Sequence, residues 1–163
     1  EFLETVFLNY QDAEYASIDT LALEFQSPEE NLGISASFTL EVPEDMALTL
    51  DTSNGRVSVE GGFPLVNIVT SNGGISFEGS ANTFDFKTSN GRVHLSLPDK
   101  WDGNGTVKSS NGKILVEYPR ELHAKVKAKT SNGEVKTQFS SDGPGKLNLR
   151  TSNGKITCLP LGS

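Results

Sequence analysis

One ten-position pattern of apolar and polar residues returns six times along the chain: apolar, x, Thr, Ser, Asn, Gly, x, apolar, x, apolar. The first copy is Leu50, Thr52-Ser53-Asn54-Gly55, Val57 and Val59. Later copies frame the corner with Ile68/Ile75/Phe77, Phe86/Val93/Leu95, Val107/Ile114/Val116, Ala128/Val135/Thr137 and Leu149/Ile156/Cys158. The fourth copy has Ser109 in the Thr position, and the fifth ends on a polar residue, Thr137. Alternation with period two on both sides predicts a half-buried strand entering each corner and another leaving it. Gly after Asn suits a sharp corner, because Gly is free to take positive φ and Asn tolerates the left-handed region.

Successive asparagines are 18, 18, 21, 21 and 21 residues apart, a period belonging to repeat architectures. Two architectures fit this frame. Asn-Gly between alternating runs is also the strongest local pattern for a two-residue hairpin, so an antiparallel barrel competes. In such a barrel equivalent turns need not touch, and nothing asks for the same Thr and Asn each time. In a parallel solenoid each coil lies about 4.8 Å above the last, so each side chain meets its own counterpart. Identity then has a physical cause. The reading is therefore all-β: a parallel β-solenoid, right-handed by the usual crossover preference. It has coils of 18–21 residues, two strands per coil and Asn/Thr ladders at the TSNG corner. By parity the ladder Asn54, Asn72, Asn90, Asn111, Asn132 and Asn153 points inward beside the Thr column, with the serines outward.

A chain of 163 residues fits one domain with an adequate core. Residues 1–45 read as irregular capping strands with turns at Ser27-Pro28 and Pro43-Glu44, and Gln11 to Ser17 as a loop or short helical cap. Residues 46–159 read as the repeat coils. A second turn in each coil varies: Gly61 to Pro64, Gly79 to Asn82, Pro98 to Gly103, Pro119 to Glu121, and Ser140 to Gly145. Three-residue insertions there account for the longer period. Cys158, the lone cysteine, takes an inward position as a small apolar residue. No apolar run reaches the length of a membrane-spanning helix. Glu1-Phe2 and Gly162-Ser163 read as trimmed ends, leaving room for a leader or anchor beyond them.

Charge changes the picture more than composition does. Residues 1–60 carry thirteen acids and one base, residues 61–163 eight acids and thirteen bases. With coils stacked in chain order, the shaft has an acidic and a basic end. Lys87, Lys108, Lys129 and Arg150 hold the same outward place in their coils, and Lys125, Lys127 and Lys146 lie on the same face, with His123 in that row. Stacked like charges repel, and an anionic polymer would relieve the repulsion. Lysines that guard against edge pairing are the plainer account of the same face. Nucleic acid fits less well, since no aromatics interleave with the column.

Catalytic chemistry finds little footing. His94 and His123 have no nucleophile or acid in a recurring frame. Asp99 and Asp102 flank Trp101 in one variable turn, the only loop with the look of a sugar site. The neutral Asn and Thr columns do not suit Ca²⁺, and no other metal or cofactor is expected. The Thr column faces inward, which argues against ice binding. Asn104-Gly105-Thr106 is a glycosylation sequon.

The run Ile34–Leu50 with its Leu40-Glu41-Val42-Pro43 segment, the TSNG coils after it and Leu95-Ser96-Leu97-Pro98 resemble the adhesin family of TSNG-repeat β-solenoid domains, over roughly residues 33–159. The resemblance implies a non-catalytic, surface-associated role and supplies no binding residues. The expectation is a non-enzymatic cell-surface or adhesion-type module, outside the cell, with an anionic polysaccharide or other surface component as partner. A polysaccharide-active enzyme or its carbohydrate-binding accessory is the alternative. Opposite charge at the two ends predicts a monomer with weak head-to-tail association at low ionic strength.

Overall fold

The computed structural model describes residues 42–43, 45–138 and 143–161. The expected capping strands up to residue 41, with the segment Gln11 to Ser17, lie outside the described residues. The chain divides into two units, residues 1–43 and 44–163, and every described strand belongs to the second.

Its strands are β1 (Leu48–Thr52), β2 (Val57–Thr70), β3 (Ile75–Thr88), β4 (Val93–Ser96), β5 (Asn104–Ser109), β6 (Ile114–Tyr118), β7 (Ala124–Thr130), β8 (Val135–Thr137), β9 (Gly145–Thr151) and β10 (Ile156–Pro160). All pairings between them are parallel. No helix occurs among the described residues. The fold is the parallel β-solenoid, and the hairpin barrel is excluded: where strands flanking one corner pair with each other, as β1 with β2, β2 with β3 and β3 with β4, they do so in parallel and one coil out of step.

The two 14-residue strands β2 and β3 run through the positions read as second turns. They bend there at Gly61 (φ 126°) and Gly79 (φ 136°) without breaking. Later coils loop out at this place. Glu78 pairs with Ser96 and Thr83 with Asn104, so residues 79–82 face residues 97–103. The three-residue insertion sits where the spacing placed it. It makes room for Trp101, which turns inward, donates its indole N–H to Ala81 O at 2.9 Å and packs 5.4 Å from the Phe84 ring. Trp101 is a core plug, and Asp99 Oδ1 accepts the Glu121 N–H, tying this loop to the next one.

Coil stacking departs from chain order at one place. After the first four coils, β5 pairs with β9 rather than β7, and β6 pairs with β10 rather than β8. β7 and β8 lie beyond, paired only with β9 and β10 among the described residues. The sixth copy of the pattern is thus inserted between the fourth and the fifth. The chain climbs two layers from β6 to β7, then steps one layer back from β8 to β9. Because every strand keeps the same direction, that backward step winds with the opposite hand to the forward steps. Gly143 makes the crossing possible: a Cβ on it would collide with the His123 backbone, and one on Gly145 with that of Asp102. Gly143 thus lies directly on the outgoing connection at His123, and Gly145 on the β4–β5 loop at Asp102.

The core is the inward row of each coil. Phe77, Phe84 and Phe86 cluster with centroids 4.8 to 6.0 Å apart. The Phe84 ring fills the space a side chain at Gly105, its partner in the next coil, would need. Leu149, Ile156 and Cys158 of the inserted coil are buried, whereas Ala128 is half-buried and Val135 and Thr137 are exposed. The polar last slot of the fifth copy belongs to the coil that ends the described stack. Burial pushes the Cys158 thiol up to about 12.

Candidate functional site

Five of the six TSNG corners, all but Thr130–Gly133, are closed by their own residues. The Thr or Ser side chain turns inward, and its Oγ accepts the N–H of the Gly three residues on, at 2.8 to 3.3 Å. Ser71 and Asn72 both donate their backbone N–H to Ser53 O, and Ser152 and Asn153 both to Ser110 O. Two successive N–H groups converging on one oxygen mean the chain is sharply curved there, so strand parity stops applying. Thr faces in, Ser and Asn face out, and Gly faces in. The inward asparagine column expected from alternation is corrected accordingly. The ladder is real, but it lies on the outer edge of the shaft.

Its bonds run in one direction. Asn72 Nδ2 donates to Asn54 Oδ1, Asn90 to Asn72, Asn111 to Asn90, Asn153 to Asn111 and Asn132 to Asn153, at 2.7 to 2.8 Å. Each interior amide spends one N–H and one lone pair on its neighbours and keeps a second N–H for solvent or ligand. The glycines serve a purpose other than positive φ, which none of them adopts. A Cβ at Gly73, Gly91, Gly112, Gly154 or Gly133 would collide with the carbonyl oxygen of the glycine in the neighbouring coil. Gly55, at the other end of the ladder, meets only its own Thr52 Oγ1, at 3.1 Å.

The basic face assembles with one change of order. Its main column reads Lys87, Lys108, Arg150, Lys129, because β9 lies between β5 and β7. Lys146 sits beside Lys125, and Lys127 beside Asn148. All seven cations are exposed. Lys87 pairs with Asp85 at 3.0 Å; the other six form no ion pair among the described residues. The same column begins with Asp51 and Val69 in the first two coils.

A second basic column escaped the sequence reading. The residue after each TSNG glycine is Arg56, Gly74, Arg92, Lys113, Lys155 and Glu134 in stacking order. Arg92, Lys113 and Lys155 rim a small open groove of about 150 Å³ over Ile114, Leu115 and Thr157. The pattern holds this clue in plain view, since the x after Gly is basic in four of six copies. Glu134 closes the column, contacting Lys155 at 3.0 Å and Lys136 at 3.3 Å. The Lys155 ammonium, hydrogen-bonded to it, holds its carboxyl below the usual range.

The histidines sit apart. His94 meets Glu117 at 2.6 Å, and His123 lies 3.5 Å from Glu121. No Ser, Thr or Cys side chain among the described residues is hydrogen-bonded to either pair. Among the described residues no group of three His, Cys, Asp or Glu gathers as a metal site, and no helix is long and apolar enough to cross a membrane.

No curated protein and no solved structure matches the chain. A family model does, over residues 33–157, with its start in the stretch ahead of β1 and its end inside β10. That span takes in every TSNG corner, its closing hydroxyls and both basic columns. The chain belongs to the Toastrack DUF4097 family.

Proposed function

We propose that this Toastrack domain is a non-enzymatic binding and scaffold module, acting at the cell surface or outside the cell, that holds an anionic polysaccharide along its basic face. One observation carries the reading: Lys108, Arg150 and Lys129 stack in consecutive layers with no acid among the described residues paired to any of them. A strand spacing of about 4.8 Å keeps three like charges within one Debye length, about 10 Å at 0.1 M salt. A linear polyanion lying along the stack removes that repulsion and releases the counter-ions it replaces. The cations project from strands held in continuous parallel ladders, so the backbone that carries them is already ordered before binding. Support for a non-enzymatic role comes from the loop around Trp101, whose ring is occupied by packing and whose Asp99 holds a backbone N–H.

The test is binding of an acidic and a neutral polysaccharide across a salt series, for the wild type and for Lys108→Glu combined with Arg150→Glu. Binding of the acidic polymer should fall steeply with salt and vanish in the double variant. Tight, salt-insensitive binding of the neutral polymer would overturn the reading.

A further inference from the structure

We propose that the protein stacks head to tail on further copies of itself, with the β1 coil of one copy seated on the β7–β8 coil of the next. These two coils end the described stack. Among the described residues β1 pairs only with β2, β7 only with β9 and β8 only with β10. Burial gives the same result: Gly55 and Gly133 are exposed, while Gly73, Gly91, Gly112 and Gly154 between them are buried.

The two ends fit because every ladder in the shaft has a direction. All five Asn bonds point their N–H toward the first coil. Asn54 therefore keeps an unused Nδ2 donor at one end, and Asn132 an unused Oδ1 acceptor at the other. The inward hydroxyls repeat this. Thr88, Thr151 and Thr130 donate to Gly73 O, Gly112 O and Gly154 O of the adjacent coil. That leaves the Thr52 hydroxyl without an acceptor coil and Gly133 O without a donor. A second copy continuing the register supplies both partners at once.

Charge and shape agree with the same register. The column that ends on Lys129 begins with Asp51, and the column that ends on Glu134 begins with Arg56. Each pair meets with opposite sign across the joint. Val135, the exposed apolar residue of the end coil, meets Val57, whose place in its own column is the same. Like ends repel, since two β7 edges would bring Lys125, Lys127 and Lys129 against their own copies. The contact is therefore heterologous, and it propagates into filaments unless rotation closes a ring.

The test follows mass by light scattering on the whole chain. Wild-type mass should rise with concentration at about 10 mM salt and fall to the monomer near 500 mM. A mass constant across that range overturns the proposal. Asp51→Lys and Lys129→Asp, each alone, replace one exposed attraction with a repulsion and should weaken association about tenfold. Mixed in equal amounts, the two variants present opposite charges at every joint and should assemble again; a mixture that stays monomeric overturns the proposal. Gly55→Ala gives a steric check. Within the monomer its Cβ meets only the Thr52 side chain, 3.1 Å from Oγ1, a contact relieved by a shift of a few tenths of an ångström. It would strike the Gly133 carbonyl of the next copy, so assembly should be lost while the unfolding transition changes little. Assembly of Gly55→Ala at the wild-type level would show that any association is not this stacking.

Discussion

Asn153 donates its side-chain N–H to Asn111, 42 residues earlier in the chain, at 2.7 Å, although Asn132 lies between them in sequence. Asn132 in turn donates to Asn153 from the outer side. The last copy of the pattern is an interior layer, and the fifth copy is the terminal one. Stability should follow position in the stack and ignore position in the chain.

The first prediction tests that order. Ile156 in β10 is fully buried, whereas Val135 in β8 is 40% exposed. Ile156→Ala should cost about 2–5 kcal/mol, as for a large-to-small change in a core. Val135→Ala should cost less than about 1 kcal/mol, because little cavity forms at an open end. Denaturant unfolding of the two variants checks it, and stacking in chain order demands the reverse ranking.

How much of this was legible beforehand depends on which interaction sets each feature. The coils and their inner rows are set by alternation, which acts locally, so Val57, Ile75, Phe77 and Val93 could be placed from spacing alone. The order of coils is set by which layer buries most, and that comparison is not local. Ala128 and Thr137 against Leu149 and Cys158 held the answer: the most polar copy belongs where the core ends. The outward turn of the asparagines was hidden for another reason. Parity assumes extended backbone, and Ser53 O accepting two successive N–H groups breaks that assumption within one residue. The Gly of TSNG likewise looked like a left-handed corner, when its constraint is the carbonyl in the neighbouring coil. The Arg92, Lys113 and Lys155 column lay in the x after each glycine, where its basic character was legible in the sequence but its groove and its closing Glu134 depend on the order of the layers.

The second prediction separates the corner glycines. Gly91→Ala must displace the backbone of the coil beside it, with a cost of about 2–3 kcal/mol or more. Gly55→Ala meets only a side-chain oxygen at 3.1 Å and should stay within about 0.5 kcal/mol of wild type. Thermal melts under monomeric conditions distinguish them, and equal losses would mean that stacking contact is not what selects glycine.

A third prediction concerns the ladder itself. Because the asparagines are exposed, Asn111→Ala loses two solvent-accessible hydrogen bonds and strands no buried group. Its cost should be about 1 kcal/mol, at the level of ordinary hydrogen bonds. Asn132→Ala loses one bond and should cost about half that. Ser110→Ala, outward with an exposed side chain, should be neutral. A loss well above 2 kcal/mol at Asn111 would contradict an outer ladder.

The fourth prediction is a pH dependence. The Cys158 thiol is raised by burial from 9.0 to about 12, and Tyr118 beside it is raised by burial and by Cys158. Both groups ionise more readily in the unfolded chain, so unfolding releases protons in alkaline solution. Their contribution is fully present below pH 9 and is lost as pH climbs toward 12. Cys158→Ala should flatten the alkaline fall in melting temperature. A thiol reagent at pH 8 should label wild type only as fast as it unfolds, and rapid labelling of the native protein would contradict the burial.

The last prediction comes from the crossing of the two connections. In an ordinary solenoid each repeat contacts only its sequence neighbours, and removing the final repeat trims one end. Here removal of β9 and β10 takes out the layer on which both β7 and β8 are built, since each pairs with nothing else among the described residues. The chain from β6 to β7 spans two layers, so β7 cannot drop onto β5 without remaking the loop at Leu122, which is bridged to Trp101. Truncation after residue 138 should therefore cost two coils, the one removed and the β7–β8 coil built on it. By amide hydrogen exchange, β7 and β8 should lose all protection while β2 to β5 keep theirs. Gly143→Ala should weaken the same unit alone, because a Cβ there collides with the His123 backbone at the crossing. Retained protection in β7 after truncation would mean that this strand re-pairs with β5, and that the inserted layer is dispensable.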